Sequence, residues 1–204
     1  MELPPPAIAR RNALAMAVLD AVLSPDWQHR YYSFQADWDD SEWMASMRDA
    51  SGDHWFMIGI DTVGLAIKVL AHESEAYAAG SPNPLLIDAI PTQFHGSFRD
   101  EEAFELEDVS FVAWCWEKDM RWKYARTGLP DGAEPLLNTL SWGADAYRRW
   151  AGDYYKQPVS AAVVDAIFAG EPLTESLARQ LNPTARWNQI RNEVAETGYP
   201  IEQA

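Results

Sequence analysis

This chain is poor in cysteine, in basic residues and in long apolar runs. Its one cysteine, Cys115, excludes a disulfide within the chain. Cys115 lies inside an apolar run and reads as a buried, inert thiol. A reducing, cytoplasmic setting fits that usage. Sixteen Lys and Arg stand against 31 Asp and Glu, a formal net charge of −15. That sign repels phosphate backbones and anionic headgroups, which argues against DNA, RNA and membrane-surface partners. No apolar stretch is long enough to span a bilayer. The segment Leu14 to Leu23 follows Arg10 and Arg11 as a short signal core would, but Asp20 interrupts it and Pro4-Pro5-Pro6 precedes it. It reads as an amphipathic helix, with Ile8, Leu14, Val18 and Val22 near helical spacing.

Several chemical motifs are missing as well. Neither a Gly-x-Gly-x-x-Gly turn nor a P-loop occurs, so nucleotide binding has no sequence support and no cofactor is implied. There is no His-Glu-x-x-His helix and no Cys/His zinc spacing. The serines that adjoin glycine, Ser51 and Ser97, lack the nucleophile elbow of the α/β-hydrolases. No internal repeat or low-complexity linker divides the 204 residues, which suit one domain with a sizeable core.

What the chain has in excess is tryptophan and acid. Ten tryptophans are more than an average core uses, though aromatic burial makes core filling the first explanation for any one of them. The stretch Gln35-Ala36-Asp37-Trp38-Asp39-Asp40-Ser41-Glu42-Trp43-Met44 sets two of these rings among four carboxylates. Asp100 to Asp108 forms a second block, with Asp100, Glu101, Glu102, Glu105, Glu107 and Asp108 and no base. Lys118, Arg121, Lys123 and Arg126 follow and are the expected local counterweight.

Periodicity predicts an α+β fold in a single domain, sheet-rich over 30–126 and helical over 134–198. An antiparallel sheet of about five strands carries an N-terminal helix and a C-terminal helical segment packed on it. The expected strands are Arg30 to Ala36, His54 to Ile60, Gly64 to Ala71, Val109 to Glu117 and Arg121 to Ala125. Asp61-Thr62-Val63 closes a hairpin. Glu42 to Arg48 reads as a short helical turn inside a polar loop. Further helices are expected at Leu85 to Ile90, Ser141 to Lys156, Ser160 to Phe168, from Pro172, and from Asn182-Pro183 to Gly198. Alternation gives strand Val109 to Glu117 one face of Val109, Phe111, Ala113 and Cys115 and another of Ser110, Val112, Trp114 and Trp116. The sheet should therefore have an aliphatic face and a face of Trp and Tyr. The C-terminal helices are expected to cover the second face; left open, it would be a ligand platform.

Three functional readings follow. In the first, the protein is a non-enzymatic acidic binder that engages a basic protein partner through Trp38, Asp39, Asp40, Trp43 and Asp53. Carboxylates steer the encounter and rings anchor it. In the second, the outer ends of the hairpin bring together His54, His72, Glu73 and Asp53, a set suited to acid/base hydrolysis or a divalent metal. In the third, a carbohydrate or small ligand stacks on an aromatic face near Trp38, Trp43 and Trp55. Paired carboxylates at Asp39-Asp40 and Glu101-Glu102 would then permit glycosidase chemistry.

The stretches Tyr31-Tyr32-Ser33-Phe34, Trp38-Asp39, Met44-Ala45-Ser46-Met47-Arg48, Ser51-Gly52-Asp53, His72-Glu73-Ser74, Pro172-Leu173-Thr174, Leu181-Asn182-Pro183 and Gly198-Tyr199-Pro200 together resemble a group of uncharacterised bacterial proteins. The resemblance runs from about residue 30 to residue 200 and implies a bacterial, cytosolic, single-domain protein without implying an activity. Small size and acidity also resemble the bacterial immunity proteins in type, which implies a toxin antagonist as a concrete form of the first reading.

Overall fold

Six strands form one antiparallel sheet in chain order: β1 (Tyr32–Asp39), β2 (Glu42–Arg48), β3 (His54–Ile60), β4 (Gly64–Leu70), β5 (Phe111–Trp116) and β6 (Lys123–Ala125). The computed structural model describes every residue except Met1, Pro82, 100–103, Glu105, Met120, Gln203 and Ala204. The α-helices among the described residues are α1 (Pro6–Leu23), α2 (Glu75–Ala78), α3 (Pro84–Ala89), α4 (His95–Arg99), α5 (Ala133–Trp142), α6 (Ala144–Tyr154), α7 (Ala161–Ala169), α8 (Glu175–Leu181) and α9 (Trp187–Glu196). The α+β class is as expected. The sheet has a sixth strand because Glu42 to Arg48 is β2, paired along its whole length with β3 from Glu42↔Ile60 to Arg48↔His54, and not a helical turn.

Two hydrophobic layers flank the sheet. On one face α1 and the C-terminal helices pack over Tyr32, Phe34, Trp43, Met47, Trp55, Met57, Ile67 and Phe111. On the other, α3, α4 and the chain leading to Val109 pack over Met44, Phe56, Ile58, Ala66 and Val112. Both faces are thus covered, and the second cover comes from the middle of the chain. The tryptophans are divided between the faces: Trp43 and Trp55 lie in the first layer, while Trp38, Trp114 and Trp116 border the second. The expected separation into aliphatic and aromatic faces does not hold.

The C-terminal half differs from expectation at three boundaries. Gly143, at φ +67°, breaks the helix expected over Ser141 to Lys156 into α5 and α6. Pro172 precedes α8 and does not open it. Thr174 is the cap, its hydroxyl accepting from the Leu177 N–H at 3.1 Å, which satisfies a first-turn donor. Asn182 does not begin the last helix. It closes the turn after α8 by accepting from Thr184 N–H, and its amide donates to the Val22 carbonyl at 2.9 Å.

Asp20 ties the first layer to the sheet. It sits in the last turns of α1, fully buried. One carboxylate oxygen accepts from the backbone N–H groups of Tyr31 and Tyr32 at 3.1 and 2.9 Å, and the other accepts from the Tyr147 hydroxyl at 2.7 Å. Burial outweighs these three donors and pushes the Asp20 carboxyl up to about 6. On the second face, His54 is pushed down to about 4, first by burial and then by the positive charges of Lys68 and Arg48. Lys68 lies in the middle of β4, with no exposed surface, and donates to the Asp108 carbonyl at 3.0 Å.

These two shifts oppose each other in their effect on stability. The folded Asp20 binds its proton more tightly than the unfolded chain, so its contribution is full below pH 3.8 and is lost as pH rises to about 6. Folded His54 binds its proton more weakly, so its contribution is full above pH 6.5 and is lost as pH falls to about 4. Each step is about 3 kcal/mol. Asp20→Asn should therefore gain stability relative to wild type between pH 4 and 6, by about 3 kcal/mol across the window. Urea midpoints of both proteins measured through that range check this; a difference that does not change with pH excludes it.

Candidate functional site

The meander order places the β1–β2 turn, the β3–β4 turn and the end of β5 side by side. In the first turn, Asp39 pairs with Glu42, and the Asp39 carboxylate accepts from the Asp40 N–H at 2.7 Å. Asp61 opens the second turn, and its N–H donates to the Ser41 carbonyl at 3.0 Å. The Glu117 N–H donates to the Val63 carbonyl at 3.0 Å. These two backbone bonds hold Asp39, Asp40, Asp61 and Glu117 along one rim, all four exposed. None of them forms an ion pair with a described residue. The nearby Asp119 is neutralised by Lys123 at 3.2 Å.

Beneath the rim the rings are largely packed. Trp43 is 4% exposed. It stacks on Phe34 with centroids 5.2 Å apart and lies under the Arg10 guanidinium at 5.0 Å. Its indole crosses Gly59, where a Cβ would come within 2.1 Å of the ring. Trp38 is half-buried in β1, its ring 5.4 Å from Phe104. Trp43 is therefore a strand residue of the core and not a loop anchor. Trp55, 1% exposed, is equally unable to stack on a sugar.

Asp53 belongs to the opposite end of the sheet. The seven residues of β3 separate it from the rim by roughly 20 Å at about 3.3 Å per residue. There the Asp49 carboxylate wraps the loop, accepting from the N–H groups of Ser51, Gly52 and Asp53 at 2.8–2.9 Å. The Asp53 carboxylate is left to accept from the His72 backbone N–H at 2.9 Å and to bond His72 Nδ1 at 2.7 Å. That bond holds His72 above the ordinary histidine value. Glu73 approaches the other ring nitrogen at 3.9 Å, its side chain 91% exposed.

The expected four-residue site is thus a dyad with a distant acid. Strand alternation turns His54 away, to the second face, where its ring packs against Phe56 at 5.1 Å and its Nε2 is buried without a hydrogen-bond partner. Among the described residues no group of three or more His, Cys, Asp or Glu side chains is placed to hold a metal ion. An imidazole oriented by a carboxylate is suited to proton transfer. This one stands on open surface, its side chain 37% exposed.

The second acidic block divides. Asp100, Glu101, Glu102 and Glu105 lie outside the described residues. Asp108 accepts from the Tyr77 hydroxyl at 2.9 Å. The basic residues that follow do not serve as a counterweight to Glu107 or Asp108: Lys123 pairs with Asp119 and Arg126 with Asp131.

Sequence reasoning passed over Asp61, Glu117 and Arg10. The two acids were visible as residues flanking strand ends, and only the order of the strands brings them beside Asp39 and Asp40. No helix among the described residues is long and apolar enough to cross a membrane. Comparison with protein-family models, with curated proteins and with solved structures gave no match.

The dyad generates a direct expectation. Asp53→Asn should lower the His72 pKa back toward the ordinary histidine range, followed by NMR of the ring protons across pH 5 to 9. An unchanged titration would exclude Asp53 as its cause.

Proposed function

We propose that this protein is a non-enzymatic binding protein that engages a basic protein partner through the acidic rim at the turn end of its sheet. The observation that carries this is the alignment of Asp39, Asp40, Asp61 and Glu117 by the backbone bonds between turns, without an ion pair to any described residue. The net charge of −15 acts in the same direction. Free carboxylates on one edge attract a cationic surface over about a Debye length and speed its approach, while contributing modestly to the affinity of the docked state. An antagonist of a basic toxin, in the manner of a bacterial immunity protein, is the most concrete form of this reading. Asp39 and Asp40 keep the role expected from the sequence, and Asp61 and Glu117 join them.

The test is kinetic. For a partner captured by the wild-type protein, association should slow as salt rises. Asp39→Lys combined with Asp40→Lys should reduce the association rate about tenfold or more at low salt and flatten its salt dependence. If association kinetics are the same for both proteins at every salt concentration, the rim is not the docking edge.

A second reading draws on the 2.7 Å bond between Asp53 and His72, which orients a base for hydrolysis. Here a panel of chromogenic carboxyl and phosphate esters should show turnover that His72→Ala removes. Turnover that survives the substitution, or none above buffer, rules this reading out.

A further inference from the structure

Behind the rim, between the first turn of α1 and the β3–β4 turn, lies an open pocket of about 350 Å³. That is within the size range of small-molecule sites. Its apolar lining includes Trp43, Ile60, Leu65 and Trp116, and its charged lining is Arg10 from α1 with Asp61 from the β3–β4 turn and Glu117 from the end of β5. The wall carrying Arg10 is fixed from outside: the Trp122 indole N–H donates to the Pro4 carbonyl at 2.7 Å and anchors the proline segment that leads into α1. Arg10 lies over the Trp43 ring, its Cζ 5.0 Å from the ring centroid, and it forms no ion pair with either acid. The pocket therefore holds one positive and two negative side chains that form no ion pair with one another.

That arrangement selects by charge. A simple cation entering it meets Arg10, and a simple anion meets Asp61 and Glu117. A molecule carrying both charges on an apolar body satisfies both groups. We propose that this pocket binds a free zwitterionic small molecule of the α-amino acid class, with its carboxylate at Arg10, its ammonium at Asp61 and Glu117, and its apolar side chain against Ile60, Leu65 and Trp116. The site shares two acids with the rim but requires no protein partner.

Three probes with the same body separate the possibilities: L-phenylalanine carries both charges, 2-phenylethylamine only the positive one, and 3-phenylpropanoate only the negative one. Tryptophan emission and calorimetry of the wild-type protein should give saturable binding of L-phenylalanine, at least about tenfold tighter than either single-charge analogue. Arg10→Gln, an exposed position, should weaken L-phenylalanine about tenfold or more and leave 2-phenylethylamine no weaker, or tighter, since the repelling charge is gone. Glu117→Gln should weaken L-phenylalanine and leave 3-phenylpropanoate no weaker, or tighter. No saturable response to L-phenylalanine by either method overturns the proposal, as does equal affinity for all three probes. Because the ligand comparison is made on wild-type protein, it decides the matter even if a variant fails to fold.

Discussion

A single buried carboxylate joins the helical layer to the sheet. Asp20 reaches from α1 to the start of β1 through two backbone N–H groups and to α6 through a tyrosine hydroxyl. Removing such an acceptor would strand three donors inside the protein, each costing about 1–3 kcal/mol when left unsatisfied. The aromatic cluster of Tyr31, Tyr32, Tyr147 and Trp150, with centroids 4.6–6.1 Å apart, gathers around this point. The position of α1 over the sheet follows from it, and so does the place where Arg10, ten residues earlier on the same helix, meets Trp43.

The two ends of the sheet have different chemistry because the meander sorts them. Every turn between odd and even strands on one side exposes acids, and the loop before β3 at the other is closed around Asp49. A mesh of backbone bonds, and not side-chain pairing, sets the spacing of the rim carboxylates. Their mutual repulsion is accepted by a rigid scaffold, which is how a surface keeps charge available for a partner.

Much of this architecture was legible in the sequence where one physical signal dominated. The apolar runs and short turn of β3 and β4 fixed that hairpin, and the Pro-initiated, alanine-rich α1 ended where Ser24-Pro25 predicts. Glu42 to Arg48 failed because five of its seven residues are buried. With both faces of the sheet covered, a strand loses its polar alternation, and Met, Ala and Glu then resemble helix formers. Trp43 was misplaced with it. The site was read in part: pairing of the hairpin ends brings Asp53 to His72, but the period of two that turns His54 to the opposite face was applied to the strands and not to the site. The rim depends on the order of strands far apart in the chain, which local patterns do not encode.

The helical partners of α1 lie late in the chain. Asn12 bonds the Leu140 carbonyl, Asp20 bonds Tyr147 and the Val22 carbonyl bonds Asn182, whereas every sheet pairing joins neighbouring strands. During synthesis, therefore, α1 leaves the ribosome well before the helices that complete its cover. At about 5–20 residues per second its apolar side waits on the order of ten seconds for α5 and α6. Over that interval the growing chain holds a finished meander and a helix covered on its sheet side alone, so loss of the C-terminal helices would expose the far side of α1.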